Sequence, residues 1–547
     1  MTRSLLILFY LCKSLRFASA FVVVPRVGSN IILSRNQSSD EERRKIKSMK
    51  LKNEMNPFQS LLDGVFSGSS SSSSSCVALD KNQLKTAWND LSSWKTLRGI
   101  WSTHPENENP NFRNDLKSGF GTASPLHTVR RFGSKDDDER VRVTLYRDSA
   151  SWCPYCQKVW MTLEEKQINY KIEFVNMRCY GDKTKQFLQI QPNGNIPVAI
   201  IDNQTYRQSN DILQVLETNF PNHKSLLPND DQVEQNRRAK SLMQLERQLF
   251  GAWMYWLTSK DNSQGSLRKN FKSVLQTVEQ ELSTTGPFFL GNDVSMVDFM
   301  FMPFVERMMA SLLYFKAFPM RGLNNKYPNL NRWMDAMETL PSYQLTKSDY
   351  YTHCWDLPPQ LGSCVTEDDT YQDAINGFPT WEYPLQDYTN LEPGWDWCQD
   401  AQKAKLEAVE RLTHNHVNII KFAARGASDN NQNSIFGYSA PLADPKATSN
   451  NNIIDSLDAI LRIITIKLLS PDITDNNNND DNDTIMSNVA KNIVIHGGNE
   501  HAQGIISSLV YLRNRIGVPR DMKLPAAQQL RSHINWSIGH ILNHLDE

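Results

Sequence analysis

The sequence predicts an α/β domain followed by an all-α domain, with an additional, mostly helical region behind them. Three observations carry this. Between Val141 and Phe220 short strand-like apolar runs alternate with helical ones, and between Asp230 and Gln344 the apolar residues recur at three- and four-residue spacing. Beyond Cys364 an aromatic, acidic connector leads into four further stretches of helical period. A chain of 547 residues has room for roughly three to four domains, more than one compact core absorbs.

In chain order, residues 1–20 read as a signal peptide. Arg3 precedes the apolar "LLILFYLC", too short for a comfortable membrane span, and Ala18 and Ala20 suit a peptidase cut. Residues 21–80 carry arginine and serine but no acidic residue before Asp40, which is transit-peptide composition, and they include the flexible run Ser69–Ser75. Two addresses in series resemble the bipartite presequence of diatoms and related algae, so a plastid is the expected destination and the secretory pathway the alternative. Residues 81–139 are an N-terminal extension in which Trp88, Leu91, Trp94 and Leu97 mark one face of a single helix, an appendage able to dock on the α/β domain behind it.

Residues 140–222 form the α/β domain. "VRVTLY" alternates as a strand, Pro154 suits the first position of a helix through "YCQKVWMTLEEKQ", and "YKIEFVNM" is a second strand. "DKTKQFLQI" gives a short helix, "PNGN" a turn, "IPVAII" and "TYRQ" a hairpin, and "SNDILQVLETNF" a closing helix capped by Ser209. That β-α-β-α-β-β-α order is thioredoxin-like. Residues 229–350 form the all-α domain, where Ser295 and Asp298 make a capping-box pattern before an apolar run. Residues 365–547 are a helical C-terminal extension, with an exposed asparagine- and aspartate-rich loop expected near 474–485.

Composition narrows the function. With 59 basic and 60 acidic residues there is no overall field for nucleic acid or anionic membrane, and no membrane span is expected in the mature chain. Eight cysteines are too sparse for a disulfide framework, and only Cys153 and Cys156 are spaced for joint chemistry. A thiol reacts as thiolate, and a helix N-terminus offers it unpaired N–H groups and the positive end of the dipole. Pro154 puts Cys153 at that position as a nucleophile, and Cys156, one turn on, is placed to resolve a mixed disulfide. A buried structural pair is the bland alternative. A zinc site would need about four ligands, and no second cysteine pair or matching His group is present, so no metal is expected.

"CPYC", then "NIPV", then "QSNDI", resembles the N-terminal domain of the glutathione S-transferase superfamily with a glutaredoxin-like tetrapeptide. "FFLGNDVSMVDFMFMPFV" resembles that superfamily's C-terminal domain. The likeness covers roughly residues 140 to 350 and is nearest the cysteine-type omega and lambda classes, including plastid-directed plant and algal proteins with a long C-terminal extension. It implies glutathione as cosubstrate and Cys153 as the residue forming a mixed disulfide with it. It further implies Pro197 as a cis-proline, the Ile196 backbone pairing with the cysteinyl part, Lys183 meeting the glycine carboxylate, and Gln208 and Ser209 holding the γ-glutamyl end. Gln208 stands where an acidic residue is usual. The implied activity is thiol-disulfide exchange, deglutathionylation or dehydroascorbate-type reduction of a small electrophile or disulfide, in a chain able to form a homodimer. Trp253, Trp256 and Met308, with Tyr255, are candidates for a second-substrate wall, although helical aromatics are more often core. The competing readings are a transferase-fold binding or assembly protein whose extension is the working part, and a prostaglandin synthase-like isomerase.

Overall fold

The computed structural model describes Leu84 and residues 88–133, 140–177, 180–283, 286–323, 326–395, 400–428, 447–470 and 481–545. The expected signal peptide and the 21–80 segment lie outside the described residues.

A five-stranded mixed sheet in the order β1-β3-β2-β4-β5 organises the α/β domain. Its strands are β1 (Val129–Arg130), β2 (Val143–Asp148), β3 (Tyr170–Val175), β4 (Val198–Ile201) and β5 (Gln204–Tyr206). β2 and β3 run parallel, joined by a crossover through a helix, while β4 and β5 form an antiparallel hairpin. The two-residue β1, antiparallel to β3, was not legible in the sequence. Two helices at the N-terminal edge are α1 (Trp94–Thr103) and α2 (Phe112–Ser118); the domain itself contains α3 (Pro154–Glu165), α4 (Lys185–Ile190) and α5 (Ser209–Asn219). Val143, Leu145, Val159 and Leu163 are buried between sheet and α3, while Val175, Phe187 and Val198 form a small separate cluster under α4.

The all-α domain contains α6 (Val233–Thr258), α7 (Ser266–Leu282), α8 (Met296–Lys316), α9 (Pro328–Glu338), α10 (Pro341–Gln344) and α11 (Tyr350–Leu361). Every residue of α8 is buried, so it is the axis around which the others pack. Its start is the predicted capping box: Ser295 N and Oγ donate to Asp298 Oδ2 at 2.8 and 2.7 Å. The other carboxylate oxygen accepts from Phe289 N at 3.1 Å and from Trp333 Nε1 at 2.8 Å. The α3 and α8 helices share one continuous core, so the two domains are fused rather than loosely tethered.

The C-terminal region builds a second core from α13 (Ala401–Ala423), α14 (Ile454–Leu469), α15 (Asp481–Arg513) and α16 (Leu524–Leu545), after the single turn α12 (Gln372–Ile375) in the connector. The predicted third helix is twice as long as its apolar pattern. It starts at Asp481, inside the expected loop, and breaks at Gly498, whose φ of 75° suits glycine. Residues 471–480 of that loop lie outside the described residues. The N-terminal extension corrects the sequence reading: Trp88, Leu97 and Trp101 do not dock on the neighbouring sheet but are buried in this distant second core. Trp101 Nε1 donates to the Leu406 carbonyl at 3.0 Å and Trp94 Nε1 to Asp458 at 2.7 Å. Among the described residues no helix is long and apolar enough to cross a membrane.

Because Asp298 satisfies four buried donors, Asp298→Ala orphans them in a water-free site. The expected loss is about 3 kcal/mol or more of unfolding free energy, measured by urea titration, with Asp298→Asn retaining part of it.

Candidate active site

The site is assembled at the end of the sheet where β2 stops. Arg147, wholly buried, donates to the Asp148 carbonyl, the Ser151 hydroxyl and the Pro125 carbonyl, each at 2.9 Å, and its guanidinium lies 4.0 Å from the Trp160 ring centre. Those bonds hold the loop 149–152, in which Ser151 adopts a left-handed φ of 57°. The chain then enters α3 with Cys153 as N-cap and Pro154 at the first helical position, as the sequence predicts.

Cys153 and Cys156 are both free thiols, 8% and 1% exposed. Asp148 Oδ2 accepts from Cys153 N at 3.0 Å and from Trp152 N at 2.5 Å. One carboxylate oxygen of Asp148 and the two sulfurs lie within 4.8 Å of one another. Among the described residues no fourth His, Cys or acid joins them, and the aspartate is already committed to two peptide N–H groups, so this is not the closed four-ligand set of a structural zinc site. Burial, and then a hydrogen bond to Cys153, push the Cys156 thiol well above its ordinary value, so Cys156 is an S–H donor beside Cys153.

Beneath the loop runs a closed ring of buried hydrogen bonds. Trp152 Nε1 donates to His353 Nδ1 at 3.0 Å, which leaves the imidazole proton on Nε2, facing Glu306 Oε1 at 2.8 Å. Gln157 Nε2 donates to Glu306 Oε2 at 2.9 Å, Arg307 donates to Gln157 Oε1 at 2.9 Å, and Arg307 closes the ring by donating to the Trp152 carbonyl. Burial, then the Arg307 charge, lower the His353 value, so the imidazole is neutral. Burial works to raise Glu306, yet the His353 hydrogen bond and the charges around it prevail and hold it low, as a carboxylate.

Of the residues implied by resemblance, five gather at this end. The Ile196–Pro197 bond is cis, and the β2–β4 register that pairs Tyr146 with Val198, carried on by two residues, sets Pro197 and Ile196 beside Arg147 and Asp148. The β4–β5 hairpin returns Gln208 and Ser209 to the same end. Gln208, not Ser209, is the N-cap of α5, and Ser209 is its first helical residue, which corrects the capping assignment. Lys183 sits between β3 and α4, its ammonium donating to the Asn176 carbonyl and its stem packed over Gly194.

Family models match the stretches that carry these residues. Residues 152–219 match the model described as Glutathione S-transferase, N-terminal domain, and residues 234–336 match Glutathione S-transferase, C-terminal domain. Residues 152–219 and 234–336 thus carry, in order, the two domains that these models describe, a transferase-like unit within the longer chain. Glutathione S-transferase DHAR2 of Arabidopsis thaliana is 28% identical over 197 residues, 36% of this chain and 84% of the relative. Glutathione S-transferase DHAR3, chloroplastic, of the same plant is 25% identical over 197 residues, 36% of this chain and 69% of that one. A crystal structure of Chlamydomonas reinhardtii dehydroascorbate reductase is similar at 21% identity, covering 38% of this chain and 93% of that chain, with a TM-score of 0.31.

The transferase unit does not use Trp253, Trp256 and Met308 as a cleft wall. All three are at most 2% exposed, with Trp253 Nε1 donating to Ser311 Oγ at 3.0 Å and Trp256 Nε1 to Glu367 at 3.2 Å, so they are core. Tyr255 is the reverse, 70% exposed on the outer face. The aromatic and basic groups gathered around α3 are instead Tyr155, Phe250, Phe304 and Arg247, with Tyr155 edge-on to Phe304 at 5.5 Å and Arg247 4.8 Å from the Phe250 ring. Lys158 donates to Asn210 at 2.8 Å and is lowered to about 7 by burial and then by the Arg247 charge. The sequence held a signal for the ring in the charged pair Glu306–Arg307 inside the apolar "FMFMPFVERMMASLL", since such residues are seldom fully buried without a partner.

Asp356 on α11 borders the same region, its two oxygens accepting from Tyr180 OH at 2.7 and 2.9 Å, and burial raises it to about 7. Its folded value exceeds the unfolded one of about 3.9, so its contribution is complete below that value and is lost as pH rises through 7. Asp356→Asn cannot ionise. Relative to the parent it should therefore gain stability between pH 5 and 8, by on the order of 3 kcal/mol, in urea titrations at each pH.

Proposed function

We propose that the chain is a glutathione-dependent thiol transferase or reductase in which Cys153 forms the mixed disulfide. The observation that carries this reading is a free thiol at the N-cap of α3, with the protonated Cys156 thiol beside it. The presence of Ile196, cis-Pro197, Gln208 and Ser209 at the same sheet end supports a tripeptide site, in which the Ile196 backbone pairs with the cysteinyl part and Gln208 and Ser209 take the γ-glutamyl end. Lys183 is the candidate for the glycine carboxylate, provided its ammonium exchanges the Asn176 carbonyl for it.

In the proposed cycle the Cys153 thiolate attacks the glutathionyl sulfur of a mixed disulfide. The substrate S–S bond breaks, a Cys153–glutathione disulfide forms, and the departing thiolate takes a proton from water. A second glutathione thiolate then attacks the glutathionyl sulfur, releasing glutathione disulfide and the Cys153 thiolate. Cys156, held protonated, serves as hydrogen-bond donor to the Cys153 sulfur rather than as resolving nucleophile. The second substrate, admitted beside Tyr155 and Arg247, is a small disulfide or a dehydroascorbate-type electrophile. With the latter the Cys153 thiolate adds to a carbonyl carbon and the oxygen takes a proton from water. A glutathione thiolate then attacks the Cys153 sulfur, and the C–S bond breaks to release the enediol. A second glutathione thiolate frees the Cys153 thiolate and leaves as glutathione disulfide. Relatives named as chloroplastic support a plastid location, as does the transit-like segment.

The test is intact-protein mass spectrometry after exposure to glutathione disulfide, alongside steady-state reduction of a small disulfide. The parent should carry one glutathione, mapped to Cys153, and Cys153→Ser should lose both the adduct and at least about 100-fold in turnover. Retention of full turnover by Cys153→Ser would overturn the mechanism. Cys156→Ser, which keeps a donor, should stay within a few-fold of the parent, whereas Cys156→Ala should fall by about tenfold, the worth of one hydrogen bond to a charged group.

A further inference from the structure

The extension does not stand apart from the thiol site. Polar groups at the start of α11 face residues 514–531. Ser348 Oγ donates to the Val518 carbonyl. Asp349 Oδ2 accepts from Arg531 at 2.9 Å, both of those side chains at most 1% exposed. Tyr351 OH donates to the Asn514 carbonyl at 3.0 Å, and Thr352 Oγ1 accepts from Val518 N at 3.3 Å. Arg531 also donates to the Ile516 carbonyl at 2.8 Å, so one guanidinium ties the α11 N-cap to the loop before α16. The very next residue after Thr352 is His353, the member of the buried ring that contacts both Trp152 and Glu306. Ser348 N donates to the same Glu306 oxygen at 2.7 Å. The segment 348–353 thus grips the extension on one side and the Cys153 loop on the other, and it lies beyond the last residue that the family models match.

We propose that His353 is a positioning residue for the chemistry of Cys153, and that residues 514–531 of the C-terminal region hold it in place. The inference rests on the thiol mechanism above. The peptide group that joins Trp152 to Cys153 is fixed at both of its polar ends: its N–H by Asp148 and its carbonyl by Arg307. The Trp152 ring, anchored through its indole N–H to His353, fixes the residue on the N-terminal side of that peptide. A neutral imidazole with Nδ1 accepting and Nε2 donating is required, and a glutamine side chain offers the same acceptor and donor pair. A leucine offers neither.

The experiment measures the rate at which glutathione disulfide modifies Cys153 in the full chain, by intact mass at fixed times, with melting temperature recorded for every variant. His353→Leu should slow the adduct at least about tenfold, and His353→Gln should recover it to within about threefold of the parent. Trp152→Phe, which removes the indole N–H and shrinks the ring on which Arg307 packs, should behave like His353→Leu, and it keeps the test open if that variant is recovered unfolded. Arg531→Met should slow the adduct several-fold. Trp536→Phe is the control: it breaks the 2.6 Å bond to Asp483, and the ring's other partners, His540 and Lys467, also lie within the extension, so it should lower the melting temperature with the rate unchanged. Parent-like rates in both His353→Leu and Trp152→Phe would overturn the positioning role while leaving the thiol mechanism standing. Equal slowing by Trp536→Phe and Arg531→Met would reduce the coupling to general destabilisation and also overturn it. A parent chain that forms no adduct at Cys153 would instead sink the mechanism itself.

Discussion

The site depends on the buried ring that joins Trp152, His353, Glu306, Gln157 and Arg307. Moving a carboxylate and a guanidinium out of water costs several kcal/mol each, and this is recovered only where every donor and acceptor meets a partner in good geometry. Here Glu306 takes hydrogen bonds from His353, Gln157 and the Ser348 backbone, while the two terminal nitrogens of Arg307 donate to Gln157, to its own helix at Pro303 and to the Trp152 carbonyl, leaving only its Nε without a partner among the described residues. A network this connected tolerates few alternative arrangements. The loop that carries Cys153 is therefore fixed by the all-α domain and α11, and the strand it leaves supplies only part of its support.

The second core gives the chain an architecture that linear order conceals. Trp88, Leu97 and Trp101 come from before the sheet, yet they are buried with α13 and α14, and Trp101 bonds to a carbonyl 305 residues later. Arg113 reinforces this with a bidentate pair to Glu410 at 2.6 and 2.9 Å. The chain leaves the C-terminal core, builds the transferase unit, and returns to finish the core it left. Any processing that removes a leader must therefore stop before Leu84, since cutting deeper would strip tryptophans from a formed interior.

How far the sequence foretells this differs between element and contact. The strands β2 to β5, the helices around α8, the Cys153 N-cap behind Pro154 and the Asp298 capping box were legible because each is written in local pattern: a period of two or of 3.6, or a fixed offset. The cysteine pair was legible for the same reason. Trp253, Trp256 and Met308 were misplaced because helical period says that a residue is apolar and on a face, not which interior it faces. The ring was missed because it joins residues 152, 157, 306, 307 and 353, and no local pattern connects them. The same limit hid the N-terminal extension's true partner.

Charges of both signs lie near the two sulfurs. Asp148 and Glu306 supply two negative charges and Arg147 and Arg307 two positive ones, all buried, and Lys158, also buried and near enough to Cys153 for their charges to interact, is lowered to about 7. With these charges largely offsetting one another, the directed contributions at the thiol are dipoles: the first turn of α3 and the Cys156 S–H. One Asp148 oxygen sits within 4.8 Å of both sulfurs; the carboxylate accepts from two peptide N–H groups, and its charge adds to the burial and the Cys153 contact that raise the Cys156 thiol. Dipoles act only at short range and in the right direction, so the chemistry at Cys153 is more sensitive to the angle of one peptide plane than to any surface charge. That sensitivity is the physical reason a residue as remote in sequence as Arg531, which touches neither cysteine, bears on the site.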